Sequence, residues 1–297
     1  MYNNLSHSSH NINSDTQSTA SATNVLNCEI TVDEAISTLK NLKTGKSVGE
    51  DLISNEMLKV ACGNEKAVLS LVKMFNECLS KGHYPWHNSI ITPIFKSGDK
   101  YNPDNYRAIA VSSCLGKAFS TILLKRLILF RREHCDDPKN QLGFREGAQT
   151  NDHVLTLKTI IDKYCIKKNK KLFSCFVDYK KAFDTVSREL LLHKLTLLNI
   201  TGPFFEVLQD MYNKSTAKIK INKLLSEKFP IEKGTEQGHP LSPELFKIFI
   251  RDFSSSLDEK GNYPKLMDTI VSLLLWADDL VLFGLDEASL QRNLDIY

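Results

Sequence analysis

The sequence predicts an α+β protein. Apolar residues recur at helical spacing in several long stretches, whereas short runs rich in Val, Ile, Leu and Phe carry the strand pattern. The two kinds of element do not alternate strictly, so a doubly wound parallel sheet is disfavoured. A chain of 297 residues with 42% hydrophobic residues is long and apolar enough to bury a sizeable core.

Composition sets broad limits on function. The net charge of +3 permits a nucleic-acid partner but does not argue for one. The seven cysteines stand singly, without a CxxC pair, which disfavours a zinc site or a disulfide framework and favours a reducing intracellular setting. The N-terminus is polar, no signal peptide is visible, and no apolar run approaches the roughly 20 residues of a membrane span.

The first third of the chain contains a polar leader followed by helices. Residues 1–30 are mostly Ser, Asn, Thr and His, and we expect them to be disordered because they offer little apolar surface to bury. Thr31 and Glu34 form a capping box that predicts a helix start. Further helices are expected over 66–80, 117–132 and 152–166, with a strand over 90–95. The basic run Lys167–Lys171 indicates a solvated loop, with nucleic-acid contact as the alternative.

The remaining elements mix strands and helices. Strands are expected over 172–177, 217–221, 228–231, 270–275 and 280–283, and helices over 188–198, 203–213 and 243–258. The last two strands are nearly pure runs of apolar residues, and Trp276-Ala277-Asp278-Asp279 lies between them.

Adjacent carboxylates between apolar strands call for a physical explanation. Burying Asp278 and Asp279 is costly unless a cation or hydrogen bonds compensate, and hard divalent cations prefer carboxylate oxygens. Asp178 also ends an apolar strand, so the two strand ends can converge on a pair of metal ions about 3.5–4 Å apart. The alternative for Asp278 and Asp279 is an ordinary hairpin turn, which aspartate also favours.

Six sequence blocks narrow the choice. They are Ile94–Lys96, Asn105–Ile109, Gln141–Gly147, Phe176–Asp184, Gly234–Pro243 and Leu275–Phe283. Together and in this order they resemble the fingers blocks and polymerase motifs A, B and C of non-LTR retrotransposon (LINE-type) reverse transcriptases. The resemblance implies a right-hand polymerase fold with helical fingers over 31–171 and a palm with a small antiparallel sheet over 172–297. It also implies that the chain is a C-terminally truncated fragment lacking the thumb.

The resemblance assigns roles to individual residues. Asp178, Asp278 and Asp279 match the ligands of two Mg²⁺ ions, with Mn²⁺ as a possible substitute, and the backbone carbonyl of Tyr179 would face a metal. Phe183 matches the aromatic gate that excludes a 2′-hydroxyl, although a core ring is the alternative for it.

Other matched residues contact the nucleotide and template. Lys96 and Arg107 match residues that hold the incoming triphosphate, with ordinary surface cations as the alternative, above all for Lys96. Gln237 matches a residue that contacts the nucleotide and helps to align the template. Phe144 and Arg145 fall where the family contacts template.

Motif B departs from the family pattern at two positions. Glu236 stands where the family usually has a basic residue, and it is expected to weaken phosphate binding. His239 stands where Asp or Cys is commoner.

The implied function is RNA-directed DNA synthesis by a mobile element's enzyme, with dNTPs added to a primer 3′-hydroxyl. RNA template, DNA primer and dNTPs are the expected partners, a membrane is not, and the compartment is nuclear or cytoplasmic. The alternative is a catalytically inactive, element-derived remnant that at most binds nucleic acid. A nuclease or other two-metal phosphohydrolase ranks lower because motif B and Phe183 have no role there.

Overall fold

The computed structural model describes residues 25–135, 140–145, 147–254 and 261–296. The predicted leader up to residue 24, Glu146 of the Gln141–Gly147 block and residues 255–258 of the predicted helix 243–258 lie outside these ranges. Ten helices carry labels here: α1 Val32–Lys40, α2 Asn55–Ala61, α3 Glu65–Ser80, α4 Cys114–His134, α5 Thr150–Ile161, α6 Ala182–Thr185, α7 Arg188–Leu197, α8 Pro203–Asn213, α9 Ser242–Phe249 and α10 Glu287–Ile296.

The strands are short and form three sheets in the described residues. They are β1 Asn88–Phe95, β2 Tyr106–Ser112, β3 Phe173–Asp178, β4 Thr216–Ile221, β5 Leu224–Leu225, β6 Phe229–Pro230, β7 Lys265–Leu266, β8 Thr269–Ile270, β9 Leu273–Trp276 and β10 Asp279–Gly284. With helices and small sheets intermixed, the predicted α+β class is confirmed.

The first sheet joins distant parts of the chain. Strand β1 pairs antiparallel with β2 and parallel with β4, and β4 also pairs with β5 and β6. The strands expected over 217–221 and 228–231 pair with each other, with Phe229 opposite Ala217. Residues 96–215, which contain β2, β3 and α4 to α8, separate the parallel partners β1 and β4, so this sheet closes a large loop of chain.

The second sheet is antiparallel, in the order β3-β10-β9. Successive side chains along its strands point alternately to two apolar clusters, because neighbouring residues of a strand face opposite sides of the sheet. Leu280 and Leu282 enter the main core, whereas Phe283 joins Leu274 and Ile160 in a smaller cluster beneath α5. The predicted strand over 270–275 is divided, because Ile270 pairs with Lys265 in the β7–β8 hairpin and only Leu273 onward joins β10.

One apolar core runs through most of the molecule. It contains side chains from α1, α3, α4, α7, α8 and α9 together with Leu273, Leu275, Leu280 and Leu282 of the second sheet. The antiparallel sheet is therefore packed on the helices rather than standing apart from them.

Two predicted helices end earlier than the sequence indicated. The helix expected over 152–166 is α5 followed by a π-helical turn over Asp162–Ile166. The helix expected over 243–258 is α9 followed by a 3₁₀ turn over Arg251–Ser254, and Lys194 donates a hydrogen bond to the carbonyl of Phe249 at the end of α9. Lys167–Lys171 is exposed, as expected of a solvated loop. None of the described helices is long and apolar enough to cross a bilayer.

The predicted leader extends too far. Leu26 and Ile30, which the sequence placed in it, are 0% and 2% exposed and belong to the main core. The reason lies about 100 residues away, where the buried guanidinium of Arg126 donates hydrogen bonds to the carbonyls of Leu26, Cys28 and Glu29. The same guanidinium binds the carboxylate of Glu34 at 2.7 and 2.8 Å. Local composition cannot reveal such an anchor.

Replacing Arg126 with methionine should destabilise this anchor. The three carbonyls and the Glu34 carboxylate would lose their donor, so we expect Arg126→Met to lower the free energy of unfolding by about 2–4 kcal/mol. Urea denaturation measures the change, and limited proteolysis should show faster cleavage near residues 25–30. Lys66→Met, at an exposed position of α3, is the control. Equal stability of the two variants would contradict the anchor.

Candidate active site

Three aspartates meet at one end of the second sheet. Asp279 begins β10 and is the direct cross-strand partner of Asp178, the last residue of β3. Directly opposite residues in an antiparallel pair carry Cβ atoms about 4.5–5.5 Å apart on the same face. Trp276 pairs with Asp279, so Ala277 and Asp278 form the two-residue turn that joins β9 to β10. Asp278 therefore lies in a hairpin turn, and the same hairpin brings Asp279 opposite Asp178.

The aspartates are more exposed than the sequence suggested. Asp178 and Asp279 are exposed and Asp278 is half-buried, whereas the adjoining Leu275 and Leu280 are each 1% exposed. The expectation of buried carboxylates is wrong because the apolar runs end where the sheet opens to solvent. The carboxylates lie at the open edge of an apolar sheet, accessible to a cation or a substrate.

The electrostatics of this edge favour a cation. The pKa of the Asp279 carboxyl is raised above its ordinary value, first by partial desolvation and then by the negative charges of Asp278 and Asp178. A divalent cation would relieve that repulsion, and carboxylate oxygens are the ligands Mg²⁺ prefers. In the described part of the chain the three carboxylates do not form a cluster within 4.8 Å, so their exposed side chains would turn inward to share an ion.

Tyr179 follows Asp178 and turns its side chain inward. Its ring packs against Phe253 at a centroid distance of 6.0 Å, and burial raises the pKa of its hydroxyl. The side chain therefore packs in the interior, and any contribution of Tyr179 to a metal would come from its backbone carbonyl.

A loop braces the turn that carries Asp278. The backbone N–H of Leu142 donates to the carbonyl of Leu275 at 3.1 Å, and the Leu275 N–H donates to Asn140 at 2.9 Å. Gln141 makes a parallel bridge with Leu275, and its side-chain amide reaches the carbonyl of Ala277 at 3.4 Å. Residues 140–142 thus lie beside β9 at the edge of the sheet and hold the turn Ala277-Asp278 in place.

Glycine at 143 makes this contact possible. A Cβ atom there would lie 2.1 Å from the backbone nitrogen of Ala277, which itself has a φ of 57°. Gln141 and Gly143 are positioning residues that the sequence analysis missed. They lie inside the block Gln141–Gly147, where a glycine between Leu142 and Phe144 is the sequence signal for a close backbone contact.

Phe183 lies between two other rings. It stacks on Phe246 at a centroid distance of 4.2 Å and meets Phe144 edge-on at 6.1 Å. It is half-buried, and its carbonyl accepts a hydrogen bond from Thr235 at 2.9 Å. One face of the Phe183 ring therefore packs against the core through Phe246. The neighbouring Phe144 is 45% exposed to solvent.

Gln237 is joined to the same segment. Its side-chain amide donates to the carboxylate of Asp184 at 3.0 Å, and its carbonyl accepts from Ala110 of β2 at 3.2 Å. Gly238 has a φ of 102°, a conformation in which other residues are strained. The loop 234–243 is thus hydrogen-bonded both to α6 and to the first sheet.

Lys96 and Arg107 lie on the β1–β2 hairpin, where both are exposed. Arg107 pairs with Ile94, and the period of two places Lys96 on the same face as Ile94. The two cations therefore share a face. The salt bridge of Lys181 with Asp104, at 2.7 Å, ties this hairpin to the segment after Asp178.

Glu236 and His239 are turned inward. Desolvation raises the pKa of the Glu236 carboxyl, and Arg188 and Lys117 lie near enough to oppose that shift. The effect of Glu236 on phosphate binding stays a prediction. His239 is buried, with Nε2 3.3 Å from the Tyr84 hydroxyl and 3.2 Å from Ser120, and burial lowers its pKa to about 3.

The chain is similar to several known proteins. The family model described as reverse transcriptase (RNA-dependent DNA polymerase) matches residues 94–297. The chain is 28% identical over 254 residues to the RNA-directed DNA polymerase from mobile element jockey of Drosophila funebris, covering 84% of this chain and 27% of that protein. It is 31% identical over 224 residues to the Pol polyprotein of retrotransposable element R2 of Popillia japonica, covering 73% and 30%.

Among solved structures, the chain is similar to a truncated apo telomerase from Candida tropicalis. The TM-score is 0.49 at 15% identity, over 84% of this chain and 54% of that one. The chain spans less than a third of the length of the two curated relatives named above.

Alanine at position 143 should disturb the braced turn. Because the new Cβ would lie 2.1 Å from the Ala277 nitrogen, backbone must move, and we expect Gly143→Ala to lower the free energy of unfolding by about 1–3 kcal/mol. Chemical denaturation measures this change. The matched control is Gly63→Ala, where the nearest atom would be 3.4 Å away. A Gly143→Ala protein as stable as the control would show that the loop does not brace the turn.

Proposed function

Because this chain belongs to the reverse transcriptase family, we propose that it carries the fingers and palm of a LINE-type element's RNA-directed DNA polymerase. The observation that supports this function best is the register of β3 and β10, which makes Asp178 and Asp279 direct partners with Asp278 beside them. The proposed palm, 172–297, contains this sheet, and the proposed fingers, 31–171, contain the β1–β2 hairpin and α1 to α5.

The aspartates would hold two divalent cations, Mg²⁺ or Mn²⁺, with help from the Tyr179 carbonyl. Bound there, the ions would activate a primer 3′-hydroxyl and stabilise the charge on leaving pyrophosphate. The chain's own residues position the reactants. Lys96 and Arg107 share a hairpin face, from which they would neutralise the triphosphate.

Phe183 and Gln237 would shape the nucleotide pocket. The ring of Phe183 is fixed by Phe246 and Phe144, so it can oppose a 2′-hydroxyl without swinging away. Gln237 is held by Asp184, which follows Phe183 in the chain. A dNTP would therefore contact α6 and the loop 234–243, which the hydrogen bond from Gln237 to Asp184 holds together.

A basic cavity supports a nucleic-acid partner. It has a volume of about 630 Å³ and is lined by four cationic side chains, one carboxylate and the exposed ring of Phe144. The cations are Arg131, Arg132, Arg145 and Lys247, of which Arg131 and Lys247 form salt bridges with the carboxylate of Glu244. Phosphates favour such a surface, and an exposed ring offers a stacking platform for an unpaired base. An RNA template would run here, next to Phe183.

Primer extension tests the proposed activity. On a poly(rA) template with an oligo(dT) primer and Mg²⁺, we expect Asp278→Ala to lower the extension rate at least about 100-fold, because a metal ligand is lost. Asp268→Ala, an exposed aspartate on the β7–β8 turn, should extend like the wild-type chain. RNA binding without extension by the wild-type chain would support the inactive, element-derived alternative instead.

Sugar selection tests the role of Phe183. We expect Phe183→Val to raise incorporation of rNTPs relative to dNTPs at least about tenfold, because the smaller side chain leaves room for the 2′-hydroxyl. Single-nucleotide incorporation with each substrate measures the ratio. Phe205→Val, at a half-buried ring of α8, controls for general loss of packing. An unchanged ratio would leave Phe183 as a core ring only.

A further inference from the structure

Outside the proposed active site, two histidines converge on one carboxylate oxygen. Nδ1 of His83 lies 2.9 Å and Nε2 of His87 lies 3.0 Å from Oδ2 of Asp210. Among the described residues, this is the group in which three possible metal ligands lie within 4.8 Å of one another. His83 and His87 come from the segment between α3 and β1, and Asp210 comes from α8.

Hydrogen bonds alone account poorly for this arrangement. The backbone N–H of Tyr84 also donates to Oδ2 of Asp210, at 2.8 Å. A carboxylate oxygen has about two lone-pair sites, so three nitrogens around a single Oδ2 exceed its capacity. The other oxygen, Oδ1, is held by Lys214 at 2.6 Å.

A metal ion would resolve the crowding. The two imidazole nitrogens would then give their lone pairs to the ion, and Oδ2 would bind the ion and accept only the Tyr84 N–H. Lys214 on Oδ1 would keep Asp210 monodentate, and such outer partners commonly orient metal ligands. The side chains of His87 and Asp210 are 16% and 13% exposed, while His83 is 47% exposed, which leaves solvent access for a further ligand.

The donor set selects the type of ion. Two imidazoles and one carboxylate suit Zn²⁺ and other first-row divalent ions, whereas Mg²⁺ prefers oxygen alone. With metal–ligand bonds of about 2.0–2.1 Å, the two nitrogen–oxygen separations correspond to N–metal–O angles near 90°, and opening each by about 0.4 Å gives tetrahedral N–metal–O angles. No cysteine is involved, so the spacing of the cysteines does not bear on this site.

The cluster sits where distant parts of the first sheet meet. The carbonyl of His87 accepts a hydrogen bond from Thr216 at 3.0 Å, at the start of the parallel pairing of β1 with β4. The hydroxyl of Tyr84 reaches His239 in the loop that carries Gln237. An ion bound here would link α8 to the beginning of β1. It would lie next to the contact of Tyr84 with the loop 234–243, which contains Gln237.

We infer that His83, His87 and Asp210 form a structural site for a divalent first-row transition metal ion, with Zn²⁺ as the first candidate. The site is separate from the three aspartates and does not depend on the proposed polymerase function.

Cobalt titration tests the site. The full chain, without a polyhistidine tag, is stripped with a chelator and titrated with Co²⁺ in excess Mg²⁺, which occupies the carboxylate site. We expect one equivalent of Co²⁺ to produce a saturable visible absorption that Zn²⁺ abolishes by displacement. Thermal unfolding in Zn²⁺ should show a higher midpoint than in chelator, because the ion binds only the folded chain.

Two ligand variants and one control complete the experiment. We expect His83→Ala and His87→Ala to bind Co²⁺ at least about tenfold more weakly than the wild-type chain. His193→Ala, at an exposed position of α7, should bind like wild type. His83 is half-exposed, so its loss should leave the fold intact by circular dichroism. Absence of saturable binding in the folded wild-type chain, or equal affinity of wild type and folded His83→Ala, would overturn the site and leave a hydrogen-bonded cluster.

Discussion

The register of β3 against β10 is the constraint on which the rest of the molecule depends. It places Asp279 opposite Asp178, and it directs Leu280 and Leu282 into the main core while Phe283 enters the smaller cluster. A slip of one residue would turn every side chain of β10 to the opposite face. The same apolar packing that stabilises the sheet therefore also specifies which carboxylates meet. Partial desolvation, followed by the like charges of Asp278 and Asp178, raises the pKa of Asp279, so packing elsewhere in the sheet has to hold these carboxylates together.

Segments far apart in sequence hold that edge in place. The loop at 140–143 pairs with Leu275 and packs against Ala277, and the loop at 234–243 is bonded to Phe183, Asp184 and β2. Each loop uses a glycine where a side chain would collide or where φ is positive, at Gly143 and Gly238. The proposed catalytic residues thus rest on backbone contacts of these loops, on glycine at 143 and 238, and on the side-chain hydrogen bond from Gln237 to Asp184.

Partial or full burial shifts the pKa values of the acidic and basic groups in different directions, depending on the partners of each group. The three aspartates lie at an open edge of the sheet, where a cation can reach them. Glu236 and His239 occupy a motif that would contact nucleic acid, yet they point into the protein and are displaced toward their neutral forms. Asp210 is different again, since its charge is stabilised by Lys214 and the Tyr84 N–H, and the pKa of its carboxyl is lowered although burial acts against this. Residue type alone distinguishes none of these three situations.

The sequence by itself determined the local features. The capping box at Thr31, the apolar strands around Asp278 and the order of the six blocks depend on neighbours in the chain, so the α+β class, most elements and the three aspartates could be predicted. Only the tertiary structure decided what depends on distant partners. Burial of Leu26 and Ile30 needs Arg126, the exposure of Asp178 and Asp279 needs the open end of the sheet, and the cluster at Asp210 needs α8 to pack beside His83. Contacts across 100 or more residues leave no periodic trace in the sequence, because each is made by a few side chains that only the fold brings together.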